Sequence, residues 1–147
     1  MKIKFFLLSI SALFLMACNS DDNQNAQQLE INETNLLGKW YLKGGTANGG
    51  PFENYDNECP THRDYQEFLL DDDLIFHGAN YQCADDIETS KWYLSGNELT
   101  VFSYLEGQMD YQDTFLIESI TTEELILIQT VTEPEGEFVY RIHATRS

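Results

Sequence analysis

Positive charge is scarce in this chain: eight Lys and Arg stand against 25 Asp and Glu, a formal net charge of −17. A field of that sign repels nucleic acid and anionic lipid headgroups and attracts cations or basic partners, so nucleic acid is not an expected partner. Cysteine is scarce too, with three in the chain. No further Cys accompanies Cys59 and Cys83, and His62 and His77 lack the repeated spacing of metal-ligand pairs, which removes a zinc site. Stretches of the roughly twenty apolar residues that a membrane-spanning helix needs are missing, and nothing sustains a helical period. Several enzyme signatures are missing as well: Gly-x-Ser-x-Gly, His-Glu-x-x-His and a phosphate-cradling glycine loop. Carboxylate pairs such as Asp85-Asp86 and Glu123-Glu124 are too common in so acidic a chain to mark acid–base chemistry. The expectation is a protein that is not an enzyme and holds no cofactor and no metal.

What is present begins with Lys2 and Lys4, followed by the apolar run Phe5 to Ala17 and then Cys18. The run has the length of a signal-peptide core. Leu15-Met16-Ala17-Cys18 resembles the lipobox of bacterial lipoproteins, in which the Cys sulfur receives a diacylglyceryl group, the leader is removed and the new amino terminus is acylated. That resemblance implies a leader over residues 1–17 and lipidation, including a palmitate-type acyl chain, at Cys18. Removing the leader takes away two lysines and no acid, so the mature chain is more acidic still. Residues 18–35 are rich in Asn, Gln and Asp and read as a flexible tether. Cys18-Asn19-Ser20-Asp21-Asp22 resembles the signal that sends Bacteroidota lipoproteins to the outer face of the outer membrane, which implies a lipid-anchored, surface-exposed protein.

In an exported protein with Cys18 occupied by lipid, Cys59 and Cys83 are the remaining pair, and disulfides persist outside the cell. They are expected to be bonded to each other. From Leu36 onward the chain alternates short apolar runs with turn residues. Trp40 opens a first strand, and residues 44–62, with Gly44-Gly45, Gly49-Gly50-Pro51 and Cys59-Pro60, read as a long loop. Runs at 64–70 and 74–81 flank Asp71-Asp72-Asp73, which reads as a hairpin turn rather than a calcium site, because the glycine and distal glutamate of an EF-hand are missing. The clearest signal is a hairpin in which Trp92 and Leu94, then Leu99 and Val101, alternate with polar neighbours across Ser95-Gly96-Asn97-Glu98. Gly107 punctuates a further turn, and strands are expected at 111–120, 125–131 and 138–144. The total is about eight short strands with short connections. An all-β, eight-stranded antiparallel up-and-down barrel follows, because closing the sheet removes its exposed edges.

Leu37-Gly38-Lys39-Trp40, the two cysteines flanking a strand pair, and Trp92-Tyr93-Leu94-Ser95-Gly96-Asn97-Glu98-Leu99 together resemble the lipocalin-like domain of Bacteroidota lipoproteins. The resemblance spans residues 36–144 of a domain that occupies 36–147. It implies a small meander barrel with Trp40 at its floor and, by analogy, room for a small apolar or amphipathic ligand. Trp40, Phe76, Trp92, Phe102 and Phe115 are the candidate lining. An eight-stranded interior is either just filled by side chains or holds one small ligand, and Phe68 and Phe138 serve either outcome. A different class of role also fits the sequence: a non-catalytic surface interaction or accessory module whose acidic face and 44–62 loop, with Phe52 and Tyr55, dock a protein partner.

Overall fold

The computed structural model describes residues 26–105, 108–134 and 136–147. The leader at 1–17, Cys18 and the turn residue Gly107 lie outside the described residues. A single helical turn, α1 (Glu33–Leu36), precedes nine strands: β1 (Gly38–Ala47), β2 (Glu53–Asn54), β3 (Tyr65–Phe68), β4 (Asp73–Ala79), β5 (Asp85–Ser95), β6 (Glu98–Leu105), β7 (Gln108–Ile120), β8 (Glu124–Glu133) and β9 (Gly136–Thr145). All neighbours are antiparallel, and β1 pairs with β9 to close the sheet. Eight strands form the closed barrel. The two-residue β2 lies on the edge of β1 beyond the point where β3 ends.

Local chemistry accounts for the turns. The β5–β6 hairpin pairs Ser95 with Glu98, and Gly96, at φ 63°, occupies the first central position of the turn, where a positive φ is needed. Asp72 takes a positive φ between β3 and β4, as Asp tolerates, and Asp73 is held by Lys91. Asp71-Asp72-Asp73 is therefore a turn with its last member tied into the sheet. At the β4–β5 connection the Asn80 side chain accepts hydrogen bonds from the Gln82 and Ala84 amides. Cys83 in that turn is bonded to Cys59, with a Cα–Cα distance of 5.1 Å.

The barrel is packed at one end. Trp40, Phe68, Leu74, Trp92, Leu99, Ile117, Ile120 and Leu125 are buried there together with Leu36. The Trp40 indole donates to the Leu36 carbonyl at 2.7 Å, and the Arg146 guanidinium lies 4.2 Å from the centroid of its ring. Arg146 also donates to the carbonyls of Asn35 and Leu37 at 2.6 and 3.1 Å, so the residue that follows β9 holds α1 against the floor.

Two boundaries differ from the expectation. Residues 27–35 are not loose: the Leu29 amide donates to the Ile120 carbonyl, the Thr122 amide to the Gln27 carbonyl, and Leu29 and Ile31 pack on the core. Asn32 caps α1 by accepting from the Asn35 amide at 2.9 Å, and the hydrogen bond at Gln27 already ends the tether about nine residues before the expected boundary at 35. The 44–62 loop also starts late, because β1 continues to Ala47. Gly44 and Gly45 read as turn residues, yet they are strand residues where three segments meet. A Cβ on Gly44 would run into the Glu53 carbonyl and one on Gly45 into the Arg141 carbonyl, and Gly44 has φ 136°. Only glycine lets β2 and β9 both approach β1 so closely.

Candidate functional site

Above the packed floor the barrel opens into a cavity of about 610 Å³. Strand register shows which side chains face it. Trp40 pairs with Gln66, Leu99 with Phe115, Val101 with Asp113, and Gln129 with Tyr140. All eight line the space. Leu42, Leu125, Leu127 and Ile142 complete its lower wall, which is apolar. The interior is therefore open rather than filled.

Polarity changes along the axis. Every residue of β7 from Gln108 to Thr114 is exposed, as are residues 85–89 of β5, so this end of the barrel is wetted on both faces. Here Tyr111 hydrogen-bonds Ser90 at 2.8 Å across the intervening β6, and Gln129 donates to Asp113 at 3.1 Å. The β2 segment contributes Glu53, Asn54, Tyr55 and Asp56 to the same rim.

Tyr55 is fixed by the one buried charged residue among the described residues. Its hydroxyl donates to Asp64 Oδ2 at 2.9 Å, while the Asp64 amide donates to the Asn57 side chain at 2.8 Å. His62 Nε2 stands 4.0 Å from the other carboxylate oxygen. Burial, reinforced by the hydrogen bond to Asp64, pushes the Tyr55 phenol up to about 12. The Tyr55 amide donates to the Lys43 carbonyl, and the disulfide anchors the far end of the segment. The segment is thus a strap held at both ends beside the mouth.

The candidate lining residues separate. Trp40 and Phe115 line the cavity; Phe76, Trp92 and Phe102 do not. Trp92 is buried in the floor, edge-on to Phe68 with ring centroids 5.4 Å apart, and its indole donates to the Leu69 carbonyl. Phe76 shares the inward face with Gln66, its register partner, but its ring is turned over Gly78. Phe102 pairs with Lys91 and Gln112 and packs against Tyr104 on the outer face, since Leu99 and Val101 take the inward positions of β6. The residues missed were the polar half of the lining: Gln66, Tyr111, Asp113, Gln129 and Tyr140. The signal for Gln66 was its place two residues from buried Phe68 on one strand. His62 and His77 fall outside the lining, and His143 belongs to it with its ring engaged by Glu124. His77 stacks on Tyr65 at 4.5 Å. Among the described residues, no three His, Cys, Asp or Glu side chains are grouped to hold a metal ion.

No protein-family model matches the sequence, and no curated protein matches it significantly. Solved structures do match. A lipocalin-like protein from Bacteroides uniformis superposes with a TM-score of 0.52 at 18% identity, over 73% of this chain and 97% of that one. The fold is a lipocalin fold. An apocrustacyanin C2 superposes at 0.53 with 17% identity, over 79% of this chain and 63% of that one, and lipocalin 12 from rat epididymis at 0.53 with 11% identity, over 84% and 73%. At these identities the likeness is one of lipocalin architecture: a closed antiparallel meander with an interior that opens at one end.

Proposed function

We propose that this protein is a non-enzymatic carrier or receptor that holds one small apolar or amphipathic molecule inside its lipocalin barrel. The cavity is the observation that supports this reading: about 610 Å³ falls within the range of roughly 300–1,000 Å³ usual for small-molecule sites, and its apolar wall with a few polar groups at one end is the usual composition of such sites. Burial of an apolar tail against Leu99, Val101, Leu125, Leu127 and Ile142 supplies affinity, and the rim fixes orientation. The interaction-module reading has less support, because Tyr55 of the 44–62 segment belongs to the cavity rim and its hydroxyl is tied to Asp64.

The anchor belongs to the same proposal. The Leu-Met-Ala-Cys sequence ending at Cys18 is the basis for lipidation, and the acidic residues after it for display at the outer-membrane surface. The stretch from Cys18 to Gln27, whose carbonyl accepts from the Thr122 amide, would reach about 30 Å if extended, at roughly 3.3–3.6 Å per residue. That clears the headgroup layer. Palmitate labelling that disappears on Cys18→Ala is the expected result.

The ligand role is tested with N-phenyl-1-naphthylamine, a neutral dye that brightens in apolar surroundings. Saturable binding of about one dye per protein is expected, with loss of binding when Val101→Trp fills the cavity and the folded spectrum is retained. Non-saturable brightening that Val101→Trp leaves unchanged would contradict the carrier role.

A further inference from the structure

The geometry points to a cationic ligand: an apolar tail for the floor and a positively charged head, an ammonium or amidinium group, for the mouth. The inference rests on the small-ligand reading above and narrows it to a chemical class.

Three acidic residues belong to the lining, Glu53 and Asp56 from the β2 segment and Asp113 from β7. Two bases also belong to residues of the lining, but both heads are engaged elsewhere. The Arg141 guanidinium pairs with Glu118, Nε to Oε2 at 2.6 Å, and His143 Nδ1 stands 3.1 Å from Glu124 Oε1. Neither Glu118 nor Glu124 lines the cavity. Asp113 receives a neutral donor from Gln129, which orients the carboxylate and leaves its charge in place. The lining therefore presents acids without compensating cations among the described residues.

The aromatic groups at the rim add to this. Tyr55, Tyr111 and Tyr140 stand among the carboxylates. Ring faces attract an ammonium through their quadrupole, most strongly where water is partly displaced. Tyr55 stays protonated well beyond neutral pH, so its ring and hydroxyl keep that role. A sulfate or carboxylate head placed in the same mouth meets three like charges and no free donor cation. A neutral head finds donors and acceptors among Asn54, Gln66 and the tyrosine hydroxyls but gains no charge pairing with the carboxylates. The apolar wall lies towards the floor and the carboxylates and tyrosines stand together towards the mouth, with Asp113 between Phe115 and Tyr111 on the inward face of β7, which is the order of tail and head in a cationic amphiphile. The net charge of −17 draws such molecules toward the protein from a distance.

The test compares decyltrimethylammonium, decanol and decyl sulfate as competitors of bound N-phenyl-1-naphthylamine at fixed ionic strength. The cation is expected to bind at least tenfold more tightly than the alcohol, and the sulfate most weakly. In Glu53→Gln/Asp56→Asn/Asp113→Asn the ratio of cation to alcohol affinity is expected to fall to near one. Removing three distant exposed charges, Asp71→Asn/Asp72→Asn/Glu123→Gln, is expected to leave the ratio intact. An equal fall in both variants would mean a general field rather than a site, and would overturn the inference. So would decyl sulfate binding as tightly as the cation. Decanol binding with no preference for the cation overturns the cationic class alone, whereas failure of the dye and of all three competitors overturns the small-ligand reading with it.

Discussion

The two ends of the barrel divide the work of the molecule. At the floor, Trp40 is clamped between the Leu36 carbonyl and the Arg146 guanidinium, and Leu99, Ile117, Ile120 and Leu125 are buried around it. At the mouth, the same strands run on with both faces wet, and carboxylates replace aliphatic side chains. One set of strands carries both ends. Burial at the floor supplies stability, at about 25 cal/mol per Å² of apolar surface, and frees the mouth to keep polar groups that add little to folding. The cavity is the space left where the first regime gives way to the second.

Breaking the floor should have the largest effect. Trp40→Ala removes a fully buried aromatic together with its hydrogen bond and its contact with Arg146. A loss of about 3–5 kcal/mol, the range for such truncations, is expected in urea unfolding. Hydrogen exchange should quicken in β1 and β9 together, because Arg146 loses its seat.

The second effect belongs to the mouth. Cys59→Ser/Cys83→Ser opens a loop whose ends are 24 residues apart in sequence, for which the chain-entropy relation gives about 3–4 kcal/mol. Exchange protection should fall first in residues 53–64. The amides of β8 opposite the floor should keep their rank order of protection. Equal loosening at both ends would mean that floor and strap form one cooperative unit and would blur the division.

The smallest effect is a titration. Tyr55 has its phenol raised to about 12, through burial first and the Asp64 hydrogen bond second. A group whose folded value lies above its unfolded value of about 10 contributes stability in full below pH 10 and loses it as pH climbs toward 12. Tyr55 is about one third exposed, so solvent screening keeps the contribution small. Difference absorbance of Tyr55→Phe against the parent should show one phenolate missing from the late, high-pH part of the curve. A missing phenolate in the early part instead would mean that the strap is not held by Asp64.

Much of this division was legible in the residues, and the rest was hidden for physical reasons. Alternation marked the β5–β6 hairpin, where Trp92 and Leu94 face in and Lys91 and Tyr93 face out, and the need to remove exposed edges pointed to the closure that β1 and β9 make. The same alternation excludes Phe102 from the interior once Leu99 and Val101 are placed, so aromatic character misled where periodicity did not. Asp113, Gln129 and Tyr140 escaped because a wet interior erases the contrast between faces on which pattern reading depends. Arg146 escaped for a different reason: a cation near a chain end carries no sign of the indole it covers. Leu29 and Ile31 were overlooked because two apolar residues in a polar stretch bury little area until Ile120 and its neighbours provide a surface for them.

The central claim is an axis, with the tail at Trp40 and the charged head at the carboxylate rim. Nuclear Overhauser contacts between bound decyltrimethylammonium and the protein test it most directly. Contacts from the terminal methyl to Trp40 and Leu125, with the head methyls against Tyr111 and Tyr140, are the expected result. Contacts confined to Tyr93, Phe102 and Tyr104 on the outer wall, or a head group found beside Trp40, would contradict it.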